Sequence, residues 1–471
     1  MVKDNKKMSF LAALVVIGIM MTTIMFFTIV IKSSIVTTFF IICVEVIIIG
    51  LILKHPFKEL EKAGFEYTLK AMPAFFILLT VGAMVAMWIA SGVVPTLIYV
   101  GLKLISPKIV PMMAMLLSSI ASLVTGTSYG SIATVGVAMM GIGASMNIPL
   151  PMVAGAVISG AFFGDCLSPC SDTTNITSAA TQTPLMTEIR HMLPAQLIVY
   201  ILSLVIFTIQ GFKYGGVGMD RSSIDVILKV LQDNFKISFV AIIPVIIVIV
   251  MLVMKLPTLL SLAGGIFSGA LIGVLYQNIP VKQLIGYLQK GYFINVGLPT
   301  IEKILNRGGI ASMYNMAILI VLAMFVSGIL TYTGVMDSFI NVLVKKIRGT
   351  VSLIIITMVL AYFISAFAGS FTLSSVITST FMLPLYRKQK LRSENLARVI
   401  QMTSNYGGAL IPWNGHAVYA FSTLGVATTA YLPYCYVNFL APLMVIILAV
   451  TGVSMTKYTK EEMKELEMEE L

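Results

Sequence analysis

Two aspartates, Asp165 and Asp172, stand in the string G164-D-C-L-S-P-C-S-D-T-T-N175 among Ser168, Ser171, Thr173, Thr174 and Asn175. Carboxylates, hydroxyls and freed backbone carbonyls are the ligands that a hard monovalent cation such as Na⁺ takes. A carboxylate that binds either a proton or a cation makes the two compete, because both affinities reside in one group. That is the chemistry of exchanging one ion for another, and it makes Asp165 and Asp172 the Na⁺ candidates. Thr127 and Ser128, in T125-G-T-S-Y-G130, add oxygens of the same kind. A further polar string, S404-N-Y-G-G-A-L-I-P-W-N-G-H416, carries no carboxylate and offers Asn405, Trp413, Asn414 and His416 instead. Such groups suit the hydrogen bonds of an organic ligand or an ion, and an unperturbed histidine titrates near neutral pH. Each residue also has a plainer role. Asp172 fits a helix N-cap, Asp165 an interhelical hydrogen bond, and His416 a structural imidazole.

The elements around these strings are membrane-grade. Of 471 residues 58% are hydrophobic and 11% charged, against about 25% charged in soluble domains, and the mean hydropathy is +0.97. The apolar runs are continuous rather than alternating, which excludes an outer-membrane barrel and implies an all-α polytopic membrane protein. In lipid every backbone N–H and C=O must be satisfied internally. Gly-, Pro-, Ser- and Thr-rich interruptions of apolar runs are therefore expected to lie buried in protein or to line a water-filled cavity. Carboxylates there are costly and functional by default. The net charge of +11 comes mostly from Lys and Arg between apolar runs, where the positive-inside rule and anionic headgroups account for it. The partner is a lipid bilayer, not nucleic acid. Four scattered cysteines make no disulfide framework, and Cys166 and Cys170 read as small residues at a break rather than as a thiol pair. No HExxH, phosphate loop or nucleophile–base pair appears, so the chain does not read as an enzyme, and no cofactor is implied.

Residues 1–56 form a two-helix hairpin whose spans, 10–31 and 35–53, are long enough to cross a bilayer. The first is taken as a transmembrane helix rather than a cleaved leader. Lys3, Lys6 and Lys7, with Lys54, Lys58, Lys62 and Lys70, place both ends in the cytoplasm. Glu45 lies mid-span as either a proton-relay carboxylate or a shielded side chain. Residues 57–210 form one transport repeat and 211–300 a linker with two spans. Residues 301–455 form a second repeat, and 456–471 a charged tail. About 10–14 membrane segments are expected. His191 beside Arg190 reads as an interfacial basic flank.

At an offset of 243, Ser122, Gly126, Ser131, Ala154, Gly164 and Pro169 meet Ser365, Gly369, Ser374, Ala397, Gly407 and Pro412. Glu61-Lys62 meets Glu302-Lys303 at 241. Ala144–Leu150 is uncharged, whereas the matching loop carries Arg387, Lys388, Lys390 and Arg392. The positive-inside rule then sets the two loops on opposite faces, so the repeats are expected to have inverted topology with broken or re-entrant helices. Lys345, Lys346 and Arg348 resist that assignment by falling outside.

The strings G126-T-S-Y-G-S131, G164-D-C-L-S-P-C-S-D-T-T-N175, I189-R-H-M192 and N405-Y-G-G-A-L-I-P-W413 resemble the NhaC-type sodium/proton antiporter family, within the larger ion-transporter superfamily. The likeness covers most of the chain. Cys166 departs from it where a Lys is usual, as does Ile176-Thr177 where Leu-Ala is typical. The resemblance implies a secondary transporter of the cell membrane that exchanges Na⁺ for H⁺. Relatives with this motif exchange malate, lactate or amino acids with Na⁺ and H⁺. A Na⁺-coupled carrier of a small organic anion or amino acid is therefore the alternative, and a homodimer is one assembly open to either.

Overall fold

The computed structural model describes residues 8–459 and Glu462, apart from Ala71, Ile105, Cys170, 215–220, Lys255, 299–300 and 303–304. Lys3, Lys6, Lys7, Cys170, Lys303 and most of the charged tail thus lie outside the described residues. The described chain is helical, and its one β-type pairing is an isolated antiparallel bridge between Leu391 and Lys457. Seven described helices are long and apolar enough to cross a membrane. The count reaches ten if each of three bent helix pairs is one span, the lower end of the expected range. Ahead of its apolar helices the 211–300 stretch contains a further helix, Arg221–Asn234.

Polar side chains inside these helices satisfy themselves. Thr134, Thr181, Ser203 and Thr357 each donate to the carbonyl four residues back, at 2.7–2.8 Å, which hides the hydroxyl from lipid. The helices differ in what covers them. Leu150–Leu167 is 89% buried over its apolar window, whereas Ile35–Ile52 near the N-terminus is 33% buried and shows Phe40, Val44 and Ile48 to the outside. The first is the centre of the bundle, and the second is scaffold facing lipid.

Two helical hairpins and two broken helices make the centre. The first hairpin runs up Val110–Thr125, turns at Gly126 in the left-handed region (φ 71°), and returns through Ser128–Ser131, a π turn and Val137–Ser145. Ser131 Oγ clamps its arms by donating to Ser118 O at 2.7 Å. The second hairpin runs up Thr350–Ala368, turns at Gly369 (φ 60°), and returns through Phe371–Lys388. Ser374 Oγ donates to Ala361 O, again at 2.7 Å and again across 13 residues. The same bond thus recurs at the same separation in both halves, and Val110–Ser145, like Thr350–Lys388, is a hairpin rather than one crossing.

Each hairpin is followed by a broken helix. The first is Leu150–Leu167, a break, then Asp172–Thr181. The second is 393–408, a break, then Gly415–Leu424. Each ends beside the hairpin that precedes the other. Arg387, at the base of the second hairpin, donates to Gln182 at 2.6 Å, and Thr183 donates to Ser393 at 2.9 Å. Gly141–Leu150, at the base of the first, share a 760 Å³ cavity with Ser422, Leu424 and Gly425.

The first hairpin packs on the first broken helix through glycine. A Cβ at Gly160 would stand 2.1 Å from Met115 O, and one at Gly164 would stand 2.3 Å from Ser119 O. Only a hydrogen fits against backbone at that distance. Gly160→Val is therefore expected to lower stability in detergent by about 1–3 kcal/mol or more. Gly18→Ala, with nothing within 4 Å, is the matched control expected to be near neutral. Thermal unfolding followed by size-exclusion fluorescence reads the difference.

Candidate ion-binding site

The breaks of both hairpins and both broken helices meet at one cavity of 330 Å³. It brings together helix ends of both polarities. The C-caps Gly126 and Gly369 line it, and so do the N-caps Thr127, Ser370 and Asn414. Carbonyl ends favour a cation and N–H ends an anion. Charge then decides between them. Asp165 and Asp172 both line the cavity, and among the described residues no Lys or Arg does.

Asp165 is the centre of the site. It occupies the last turn of Leu150–Leu167 and is 2% exposed. Ser171 Oγ donates to its Oδ1 at 2.7 Å and Thr173 Oγ1 to its Oδ2 at 3.1 Å. Both donors come from across the break, so the carboxylate holds the two half-helices together. Thr174 adds to the joint by donating to the carbonyls of Asp165 and Cys166 at 3.2 and 3.3 Å. Ser168 donates to Leu123 O at 2.8 Å, and Asn175 to Pro169 O and Ser171 O at 3.2 and 2.7 Å. Those last two residues belong to the backbone of the break and do not line the cavity.

Asp172 does not cap the helix. Ser171 is the N-cap, accepting from the N–H groups of Thr173 and Thr174. Its hydroxyl already reaches both orphan amides, which leaves Asp172 at the first helical position, exposed and facing the cavity. Thr127 and Ser128 line the opposite wall, where Thr127 accepts from Gly130 N at 3.4 Å.

The second polar string divides. Asn405 is buried behind the site, donating to Thr173 Oγ1 at 3.2 Å and to Gln401 Oε1 at 2.9 Å. Asn414 caps Gly415–Leu424 and donates to Ser365 O at 2.9 Å. Trp413 donates its indole N–H to Ala366 O at 2.7 Å and tilts against Phe39. Its polar atom thus satisfies a helix end, and what it can offer a ligand is ring surface. His416 lines the cavity with Nδ1 against Tyr129 OH at 3.0 Å, enclosed by the rings of Phe162 and Phe371. Its Nε2 is buried without a hydrogen-bond partner among the described residues.

Sequence reasoning missed Tyr129, which stacks on Tyr419 at 4.0 Å and sits inside a string already singled out. It also missed Ser370, Phe371 and Thr372, which line the cavity from the second hairpin. The stretch A368-G-S-F-T372 interrupts an apolar run but carries nothing acidic to draw attention to it. Glu45 falls elsewhere, in an apolar groove with Thr23 and Phe27. Cys166 is buried and hydrogen-bonded, donating to Gln401 Oε1 at 3.5 Å. No group of three or more His, Cys, Asp or Glu that could hold a metal comes together among the described residues.

A bundle of membrane-length helices built around crossed breaks and a buried carboxylate is the construction of an ion-coupled secondary transporter. The Na⁺/H⁺ antiporter family model matches residues 160–453. The malate-2H⁺/Na⁺-lactate antiporter of Bacillus subtilis (strain 168) is 32% identical over 406 residues, covering 86% of this chain and 87% of that one. The Na⁺/H⁺ antiporter NhaC of Alkalihalophilus pseudofirmus is 30% identical over 411 residues, covering 87% and 88%. The arginine/ornithine antiporter ArcD of Halobacterium salinarum is 29% identical over 394 residues, covering 83% and 81%. The chain belongs to the Na⁺/H⁺ antiporter family.

Ser171 has two tasks, capping a helix and donating to Asp165. Ser171→Ala is expected to cost about 1–3 kcal/mol by leaving a buried acceptor and two amides short of partners. Thermal unfolding of the purified variant in detergent, against the unsubstituted protein, measures it.

Proposed function

We propose that this protein is a Na⁺/H⁺ antiporter working by alternating access. Asp165 carries a proton in one half of the cycle and helps bind Na⁺ in the other. The observation that carries this reading is a carboxylate enclosed by protein, held by two hydroxyls, on the wall of a cavity with a second carboxylate and, among the described residues, no Lys or Arg. When Na⁺ arrives, Ser171 and Thr173 turn lone pairs toward it and Asp165 supplies the charge. When Na⁺ leaves, a proton neutralises Asp165, and the closed site again holds no bare charge, which low dielectric would penalise. Asp172 keeps the entrance negative and serves as the second ligand.

In this reading the repeats, 57–210 and 301–455, face opposite ways in the cell membrane. Each broken helix runs from its own hairpin's base to the neighbourhood of the other's, which supports it. The uncharged loop at 144–150 and the basic loop at 387–392 then lie outside and inside, with the N-terminus cytoplasmic.

One observation favours a second reading. The cavity, at 330 Å³, far exceeds a bare ion and reaches the lower range of small-molecule sites. Its helix N-termini would take a carboxylate. The malate/lactate and arginine/ornithine antiporters among the relatives fit an organic co-substrate that travels with the ions.

Reconstitution in pH-loaded vesicles separates the two. Na⁺ alone is expected to collapse the proton gradient, and collapse that requires malate, lactate, arginine or ornithine would move the protein to the second reading. Asp172→Asn is expected to abolish cation-dependent proton movement while the protein still inserts. Wild-type exchange by that variant would remove Asp172 from the mechanism. Competition at Asp165 also has a pH signature. In the range where H⁺ outcompetes Na⁺, the apparent KM for Na⁺ is expected to rise about tenfold per unit fall in pH. An initial-rate series at stepped pH tests this, and a flat KM would contradict a shared site.

A further inference from the structure

Behind Asp165 lies a second buried carboxylate. Glu188 stands in the first turn of Leu185–Phe212 and is 0% exposed. Its Oε1 accepts from Gln401 Nε2 at 3.4 Å, and its Oε2 is buried without a hydrogen-bond partner among the described residues. From Gln401 the contacts continue. Asn405 Nδ2 donates to Gln401 Oε1 at 2.9 Å and to Thr173 Oγ1 at 3.2 Å, and Thr173 Oγ1 donates to Asp165 Oδ2 at 3.1 Å. Gln401 and Asn405 are the first and last residues of a π turn, a widened helix form that recurs at functional positions. Together they make a polar bridge between two carboxylates in an otherwise apolar interior.

The charged and titratable groups around Glu188 do not neutralise it. Arg190 and His191 share its helix. Arg398 and Glu394 come from the helix 393–408, and Cys166 and Asp165 from the first broken helix. Arg398 donates instead to Ser454 and Met455, and the one ion pair found among the described residues is Arg392–Glu462. A helix N-terminus eases a negative charge in its first turn, but it gives Oε2 no hydrogen. Burying a charge this completely, with one long amide contact, has no packing benefit to offset it. The group must be neutralised from outside the polypeptide, and a bound proton does so with no coordination shell.

We infer that Glu188 is a second proton-binding site of the transport cycle, additional to Asp165 and resting on the antiport reading above. Its position supports the assignment. Glu188 lies one turn from the 182–184 segment, where Arg387 and Ser393 of the basic-loop face make contact, and at the far end of the bridge from the ion cavity. Amides do not relay protons by exchange, so the bridge does not carry the proton itself. It carries orientation. When Asp165 takes a proton on Oδ2 it becomes a donor, the Thr173 hydroxyl must turn to accept from it, and Asn405, which donates to the same oxygen, readjusts together with Gln401 and its hold on Glu188. The occupancy of one carboxylate thereby alters the other, and the proton on Glu188 moves in the same cycle as the cation on Asp165.

The test is a ratio rather than a rate. In proteoliposomes with the membrane potential clamped to zero, the Na⁺ gradient that just cancels a fixed pH gradient reports protons moved per Na⁺. Wild-type protein is expected to balance at two or more. Glu188→Gln, which keeps shape and hydrogen bonding but cannot titrate, is expected to balance one proton lower, so its null Na⁺ gradient falls about tenfold at a pH difference of one unit. An unchanged null gradient in that variant, whatever its rate, overturns the proposal, as does a wild-type ratio of one, which needs no variant to fold. Absence of Na⁺-driven proton flux in wild-type protein, with and without the organic co-substrates, would instead overturn the antiport reading.

Discussion

Backbone that stops being helical inside a bilayer has nowhere to send its hydrogen bonds except into the protein, and this structure is arranged around that constraint. Four breaks are placed together so that each supplies what another lacks. Trp413 donates to the carbonyl end at Ala366, Asn414 to Ser365, Ser168 to Leu123, and Gly415 N to Gly369 O at 3.0 Å. Most of the polar atoms near the cavity are therefore committed to backbone. The exceptions include His416, whose Nδ1 meets Tyr129 OH, and the carboxylates, Asp165 held by the hydroxyls of Ser171 and Thr173 and Asp172 open to the cavity. Negative charge on the wall of a cavity is what remains once the backbone's demands are met.

The same constraint explains why the packing is tight where it is. Breaks can be mutually satisfied only if the helices carrying them approach closely and in register, and Gly160 and Gly164 let backbone rest on backbone beside Met115 and Ser119. Each hairpin turn spends a single left-handed glycine, at 126 and 369, and each is closed by a serine thirteen residues from its carbonyl partner. The N-terminal pair of helices, with apolar side chains showing outward, carries none of these devices. Rigidity is concentrated at the crossing, and the lipid-facing helices surround it.

Much of this was legible because membrane sequence is chemically quiet. Against apolar runs, G126-T-S, G164-D and N414-G-H stand out. What failed to show was direction. Asp172 looked like the cap because D-T-T-N is a cap pattern, yet Ser171 one residue earlier reaches the same amides. Trp413 looked like a ligand group because an indole in a polar string is conspicuous, yet its N–H points at a helix end that sequence cannot locate. Asn175 and Ser168 belong to the motif through the backbone they support rather than through the cavity.

Glu188 escaped for the opposite reason. In T187-E-I-R-H191 it sits in a charged stretch before an apolar run, the usual look of a helix entering an interface, where a carboxylate is solvated and inert. Its burial arises from the second repeat. Gln401, more than two hundred residues away, covers it, and the π turn that aims Gln401 has no sequence signature comparable to glycine or proline. Nearest-neighbour chemistry identifies where backbone must break, because a break is a local event. It does not identify which solitary charge the other half of the protein will enclose. Asp165 and Glu188 both belong to the first half of the chain, and the side chains that bridge them, Gln401 and Asn405, come from the second. What one carboxylate binds therefore reaches the other through groups that the opposite half supplies.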